Sequence, residues 1–126
     1  MQNLQILDLS FNNLESISKE IGIFLSLKQL YLNNNPLQFL PIEISKCKSL
    51  QILKLSDTYI KFIPREMADL KKLYELDLNN CPIQGNLKNA YEGGICEVFK
   101  YLQRKKDRSY YRVFLNFYKM KHFVRK

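Results

Sequence analysis

The apolar positions of the chain follow one spacing four times. Each unit begins with Leu-x-x-Leu-x-Leu. Three positions after the last of these leucines comes a small or polar residue, and two positions further comes Leu or Ile. The four units begin at Leu4, Leu27, Leu50 and Leu73, so the period is 23 residues without a break. A repeat of about 20 to 50 residues predicts a solenoid, because a single unit cannot bury its own apolar face and neighbouring units must stack.

Each unit is predicted to contain one short strand. The last two leucines of Leu-x-x-Leu-x-Leu are two residues apart, so on a strand they share a face, which points into the solenoid. After the strand, Asn12 and Asn35 carry amides that can both donate to and accept from buried loop backbone. Thr58 and Cys81 occupy the same position with less hydrogen-bonding capacity. The sequence therefore predicts a hydrogen-bond ladder that weakens toward the C terminus.

The second half of the first three units predicts a short helical or 3₁₀ turn. Apolar residues recur there at intervals of three or four positions, which is helical spacing. Pro41 and Pro64 begin this half in the second and third units, where the proline ring fixes φ. The fourth unit departs from the pattern after Ile83, and a turn of helix ended by Gly93 and Gly94 is predicted instead.

A second helix is predicted after these glycines. Ile95, Val98, Phe99 and Leu102 have the spacing of one apolar helix face, and this face is expected to cover the open end of the solenoid. The N-terminal end shows no comparable cover, because Leu4 opens a full repeat after three residues. Three interpretations are open: the chain is the C-terminal piece of a longer protein, another chain stacks on the first repeat, or that repeat frays.

The repeats, at residues 1–86, resemble the leucine-rich repeat family, in its intracellular, Ras-suppressor-like form with 23-residue units. The resemblance implies an α/β fold: a right-handed solenoid with a parallel β-sheet on the concave face and short helical turns on the convex face. Residues 87–102, with Tyr91-x-Gly93 and Val98-x-x-Tyr101-Leu102, resemble the terminating cap of such domains. Residues 103–126 are then predicted to form a basic, aromatic helical extension.

The resemblance also implies a function. Leucine-rich repeat proteins usually recognise protein partners on the concave face, so the expected role is a non-enzymatic scaffold or docking subunit in an intracellular assembly. Proteins of this kind occur in cytoskeletal and ciliary assemblies, which makes such a location an expectation at the level of the family. Apolar residues clustered on a face that contacts water are typical of an interface, although scattered ones are ordinary. The concave residues predicted to bind protein are Ile6, Asp8, Phe11, Tyr31, Ile52, Lys54, Glu75 and Asp77.

The net charge of +8 comes from one end of the chain. Residues 1–99 carry 10 Lys and Arg against 11 Asp and Glu, whereas residues 100–126 carry 10 Lys and Arg against Asp107 alone. The basic segment is also rich in Tyr and Phe. Its predicted partner-binding residues are Arg104, Lys105, Lys106, Arg108, Arg112, Phe114, Phe117, Tyr118 and Lys121.

Several partners suit a basic, aromatic segment. A partly apolar, acidic protein surface is favoured, because the segment offers both charge and apolar area. Nucleic acid, contacted through phosphates by residues 100–126, is the alternative. Three further interpretations are open. In the first, the segment contacts an anionic membrane surface. In the second, a calmodulin-like groove binds it through a faint IQ-type pattern that begins at Leu102. In the third, it is a solvated helix that only closes the fold.

Candidate chemistry is sparse. His122 is the only histidine and has no carboxylate near it in sequence, and no Gly-rich phosphate loop or metal-type cysteine spacing occurs. We therefore expect no catalytic residue, no cofactor and no metal. The three cysteines predict reduced, buried thiols in a cytoplasmic protein, since no signal peptide pattern is present. No apolar run approaches the roughly 18 residues that a membrane span needs.

Overall fold

In a computed structural model, residues 3–108 are described. Four strands, β1 to β4, alternate with three 3₁₀ helices, η1 to η3, and two α-helices follow, of which α2 covers residues 95–108 of the described range. The strands are Ile6–Asp8, Gln29–Tyr31, Ile52–Lys54 and Glu75–Asp77. The 3₁₀ helices are Lys19–Ile23, Ile42–Lys46 and Arg65–Asp69, and α1 is Gly85–Glu92.

The strands form one parallel sheet in the order β1-β2-β3-β4. Partners in the register are 23 residues apart, so that Leu7 lies beside Leu30, Leu30 beside Leu53 and Leu53 beside Leu76. The sheet is therefore built by stacking equivalent positions of successive units. This confirms the leucine-rich repeat solenoid predicted from the sequence.

The core lies between the sheet and the 3₁₀ helices. The strand leucines of the middle units, Leu30 and Leu53, are completely buried, whereas Leu7 in β1 is only partly buried. The prolines begin η2 and η3 as expected, with φ of −69° at Pro41 and −60° at Pro64. Ser18 has this role in the first unit, where its hydroxyl accepts a hydrogen bond from the Glu20 amide.

The hydrogen-bond ladder behind the sheet is strongest at Asn35. Its amide nitrogen donates to the carbonyls of Leu9 and Leu32 at 2.9 and 3.0 Å, and its oxygen accepts from the Leu14 amide at 3.1 Å. Asn35 thus joins the first two units. Thr58, one unit later, donates to the Leu55 carbonyl at 2.8 Å, and the Cys81 thiol donates to the same carbonyl at 3.0 Å and lies 3.3 Å from the Thr58 hydroxyl. The bonds therefore decrease from Asn35 to Thr58, as predicted, but Asn12 bonds only to the Leu9 and Ser10 carbonyls of its own unit and makes no more of them than Cys81 does.

Helices α1 and α2 close the C-terminal end. In the first three units, the amide of the leucine that follows the strand donates to a carbonyl of the next strand, as Leu55 does to Asp77 at 2.8 Å. The fourth unit has no next strand, and the Leu78 amide donates to the Tyr91 hydroxyl at 2.9 Å instead. Burial raises the pKa of Tyr91. Val98 and Leu102 of α2 are buried against the core, which confirms the predicted cap.

Two expectations need comment. Cys47 is buried, but Cys96 is exposed on α2, so the expectation that all the cysteines are buried was wrong at this position. The face of α2 that packs on the core contains Val98 and Leu102, and position 96 lies away from it. The tail residues Arg112, Phe114, Phe117, Tyr118 and Lys121 lie outside the described residues. No helix within residues 3–108 is long and apolar enough to cross a membrane.

Candidate protein-interaction surface

The concave face is built from the outward positions of the four strands. The first and third residues of each strand point away from the core, because side chains alternate along a strand. The register brings these positions together as two rows across the sheet. The rows are Ile6, Gln29, Ile52 and Glu75, and Asp8, Tyr31, Lys54 and Asp77. The eight concave residues predicted from the sequence, apart from Phe11, therefore lie side by side.

Charged and polar groups occupy the C-terminal half of this face. The Lys54 ammonium lies 2.8 Å from the Glu75 carboxylate on the neighbouring strand. This bond raises the pKa of Lys54, and the charge of Asp77 acts in the same direction. The Tyr31 hydroxyl donates to the Gln29 side chain at 2.8 Å. These contacts pair the polar groups with one another, so a partner meets side chains that already have hydrogen-bond partners.

Apolar groups are exposed at the N-terminal half. Ile6 has 55% of its surface exposed and Phe11 has 76%. Ile52, on β3 in the other half of the face, is half-buried. Asp8, between Ile6 and Phe11 in the sequence, accepts hydrogen bonds from the hydroxyl and the amide of Ser10, which lower its pKa. The most exposed apolar side chains of the concave side therefore lie in the first unit, and the Lys54–Glu75 ion pair lies across the third and fourth units.

Phe11 lies at a position with unusual backbone geometry. Each unit places one residue in the left-handed region three positions after the last residue of its strand, with φ of 56° at Phe11, 60° at Asn34, 57° at Asp57 and 61° at Asn80. Asn and Asp tolerate this conformation, whereas a bulky residue is strained there. An exposed, strained aromatic residue at the edge of the concave face is a candidate contact for a partner.

Replacing Phe11 by Asn tests this interpretation. Phe11→Asn installs the residue found at the equivalent positions 34 and 80, so we expect the free energy of unfolding to rise by about 0.5–1 kcal/mol. The measurement is chemical denaturation. Phe62→Asn is the matched control, because Phe62 is equally exposed but has no left-handed backbone, and no such gain is expected. An equal change in both variants would contradict the strain at Phe11.

The basic residues of α2 separate into two groups. Arg104, Lys105 and Arg108 line one groove between α1 and α2, together with Tyr101, and the Lys105 ammonium lies 5.5 Å from the Tyr101 ring centre. Lys106 points elsewhere and pairs with Asp69 at the end of η3, which lowers the pKa of that carboxyl. Lys106 therefore contacts the repeats rather than the groove.

A second exposed apolar set lies outside the concave face. Phe39 and Phe62 are 58% and 75% exposed, and each follows the start of its unit by twelve residues. Sequence reasoning did not single them out, although their equal position in neighbouring units was a usable signal. The two residues therefore have equivalent positions in adjacent units, and Phe62 lines a groove together with Ile42.

Groups suited to catalysis are not gathered in residues 3–108. Asp8 and Asp77 lie on β1 and β4, at opposite edges of the sheet. The thiol of Cys47 is buried, and this burial raises its pKa, which disfavours the reactive thiolate. The same range contains no group of three or more His, Cys, Asp or Glu side chains placed to hold a metal ion.

Comparisons with known proteins point to one family. Two models of the leucine-rich repeat match the chain, one over residues 25–83 and the other over residues 3–23. A comparison with curated proteins found no match. A solved structure of a leucine-rich repeat protein from Leptospira interrogans is 38% identical, with a TM-score of 0.68 over 71% of this chain. The match spans 23% of that protein's chain.

Proposed function

Because this chain belongs to the leucine-rich repeat family, whose domains generally mediate protein–protein interaction, we propose that it is a non-enzymatic scaffold or docking subunit. Its proposed setting is a larger assembly in the cytoplasm, with cytoskeletal and ciliary assemblies as the first to examine. The proposed binding regions are the concave face and the basic C-terminal segment. Stacking of another chain on the first repeat is a further proposed contact.

The observation that carries this proposal is the composition of the concave face. The exposed side chains of Ile6 and Phe11 lie at one end, and the ion pair of Lys54 and Glu75 lies toward the other. Interfaces combine apolar anchors with polar groups that fix orientation. A partner that buries the apolar end and bonds to the charged end would be recognised by both chemistry and position.

Affinity capture with a concave variant tests the proposal. The concave variant carries Ile6→Thr, Phe11→Asn and Ile52→Thr, which remove apolar surface but suit strand or left-handed backbone. The convex control carries Ile23→Thr and Leu25→Thr, two residues of comparable exposure on the other side of the first unit. We expect the full chain and the convex control to capture the same proteins, and the concave variant to lose at least one of them.

Either of two capture results would contradict the concave assignment. Identical protein lists from all three chains would mean that the concave face does not select the partner. Loss of the same proteins from the convex control would mean that exposed apolar surface in general is responsible.

Nucleic-acid binding is the second candidate, because Arg104, Lys105 and Arg108 lie beside an aromatic ring. Phosphate contacts predict an affinity for RNA that falls steeply as salt increases, because bound cations are released. Substitution at Arg104 and Arg108 is preferable to deletion of residues 103–126, since that deletion also removes the contact of Lys106 with Asp69. Salt-dependent RNA binding that disappears in Arg104→Glu/Arg108→Glu would favour this candidate over the scaffold.

A further inference from the structure

Helix α2 separates two grooves that share one wall. One, the apolar groove, has a volume of about 320 Å³ and lies between α2 and the start of η3. The other, the basic groove, has a volume of about 260 Å³ and lies between α2 and α1. Tyr101 and Lys105 line both grooves and form the ridge between them.

The apolar groove has the lining of a site for a bulky side chain. Ile42 and Phe62 are exposed there and Ile63 is buried at its base, while Tyr101 and Leu102 come from α2. Exposed aromatic and aliphatic groups that converge on one concavity are typical of binding sites. The two charged groups at its edge from the repeats, Arg65 and Glu66, lie 3.7 Å apart and balance one another.

The basic groove has an excess of positive charge. Arg104, Lys105 and Arg108 line it, together with one acidic residue, Glu97. The Lys100 ammonium lies 3.3 Å from the Glu97 carboxylate and balances it. Asn86 and Asn89 of α1 add amide groups to the opposite wall. The groove therefore favours carboxylates that can bond to guanidinium and amide groups.

We propose that the two grooves together bind an acidic peptide segment of a partner protein, with one bulky apolar side chain in the apolar groove and carboxylates in the basic groove. This deepens the proposed function and depends on it, since it names a second contact and the chemistry of the segment that makes it. The segment crosses α2 over the ridge of Tyr101 and Lys105, where the lysine ammonium lies over the ring. Charge complementarity selects an acidic protein segment rather than a second copy of this basic chain.

The geometry also sets the spacing within the segment. An α-helix with its side chains is about 10–12 Å wide, and an extended peptide advances about 3.3 Å per residue. The apolar anchor and the nearest carboxylate should therefore be about three to four residues apart. Peptides with adjacent anchor and carboxylate reach only one of the two grooves.

Selection from a displayed library of random twelve-residue peptides, with the full chain as bait, tests this proposal. We expect the recovered peptides to be rich in Asp and Glu and to contain Phe, Leu or another bulky apolar residue at the predicted spacing. The dissociation constants of individual synthetic peptides are then measured by fluorescence anisotropy. We expect at least tenfold weaker binding to Phe62→Ser and to Arg104→Glu/Arg108→Glu.

Matched controls separate the site from general surface effects. Tyr59→Ser removes an exposed aromatic residue of the same repeat, and Lys19→Glu/Lys28→Glu makes the same change in charge outside both grooves. Binding to these controls should stay within twofold of the unchanged chain. The proposal would be overturned if acidic peptides bound Phe62→Ser as tightly as they bind the unchanged chain. It would also be overturned if Lys19→Glu/Lys28→Glu weakened their binding as much as Arg104→Glu/Arg108→Glu does.

The same measurements distinguish this inference from the broader function. If peptide binding depends on Ile6 and Ile52 but not on the groove residues, the groove assignment is overturned and binding through the concave face is supported. Recovery of no peptide above background would overturn the groove proposal, while partner capture by the concave face would still be tested separately. A twelve-nucleotide RNA that binds more tightly than any peptide, with dependence on Arg104 and Arg108, would replace the acidic segment by nucleic acid.

Discussion

Asn35→Ala is expected to lower the free energy of unfolding by about 3 kcal/mol. The substitution leaves the carbonyls of Leu9 and Leu32 and the amide of Leu14 without the side chain that bonds to them. A buried polar group that loses its partner costs about 1–3 kcal/mol, and water that enters the space recovers part of the loss. Chemical denaturation followed by circular dichroism measures the change.

Thr58→Ala is the matched control for Asn35→Ala. Thr58 has the same position one unit later, and its hydroxyl bonds to the Leu55 carbonyl and lies 3.3 Å from the Cys81 sulfur. We expect a loss of about 1 kcal/mol, because fewer groups are left without a partner. Equal losses at the two positions would contradict the interpretation that the ladder weakens toward the C terminus.

Leu53→Ala is expected to cost about 4 kcal/mol. Leu53 is completely buried in β3, with a unit stacked on either side, so the cavity cannot close by a shift of surface residues. Buried Leu→Ala substitutions cost about 2–5 kcal/mol, and the cost rises with the size of the cavity that remains. Thermal and chemical denaturation of the full chain measure the effect.

Leu7→Ala provides the comparison within the same register. Leu7 has the equivalent position in β1, but it is only partly buried because no unit covers its outer side in the described chain. We expect a cost of about 2 kcal/mol, roughly half of that at Leu53. A cost at Leu7 as large as at Leu53 would show that the first repeat is covered in solution.

The repeating part of the structure could be predicted because, in a solenoid, one residue spacing determines which positions of neighbouring units contact one another. A period of 23 places Leu7, Leu30 and Leu53 beside one another, and the same alignment gives both the sheet register and the concave rows. The prolines indicated where two of the 3₁₀ helices begin, because the proline ring fixes the φ angle of its own residue. Local rules and the repeat period agree over this region, so the prediction needed no knowledge of distant contacts.

The parts that escaped prediction depend on contacts between elements. Tyr91 was identified by resemblance, but its hydroxyl replaces the carbonyl of a missing strand only once α1 has packed on the sheet. Lys106 was grouped with the other basic residues because sequence shows charge and not direction, whereas the structure pairs it with Asp69. The left-handed geometry at Phe11 follows from the turn that Asn34 and Asn80 share, and a phenylalanine there gave no local signal of it.

The affinity of a captured partner for the concave variant tests the central claim most directly. Isothermal titration of that partner against the unchanged chain, the concave variant and the convex control gives three dissociation constants. We predict at least about tenfold weaker binding for the concave variant, a loss of about 1.4 kcal/mol or more, and a change of less than twofold for the convex control. Equal dissociation constants for all three proteins would contradict recognition through the concave face.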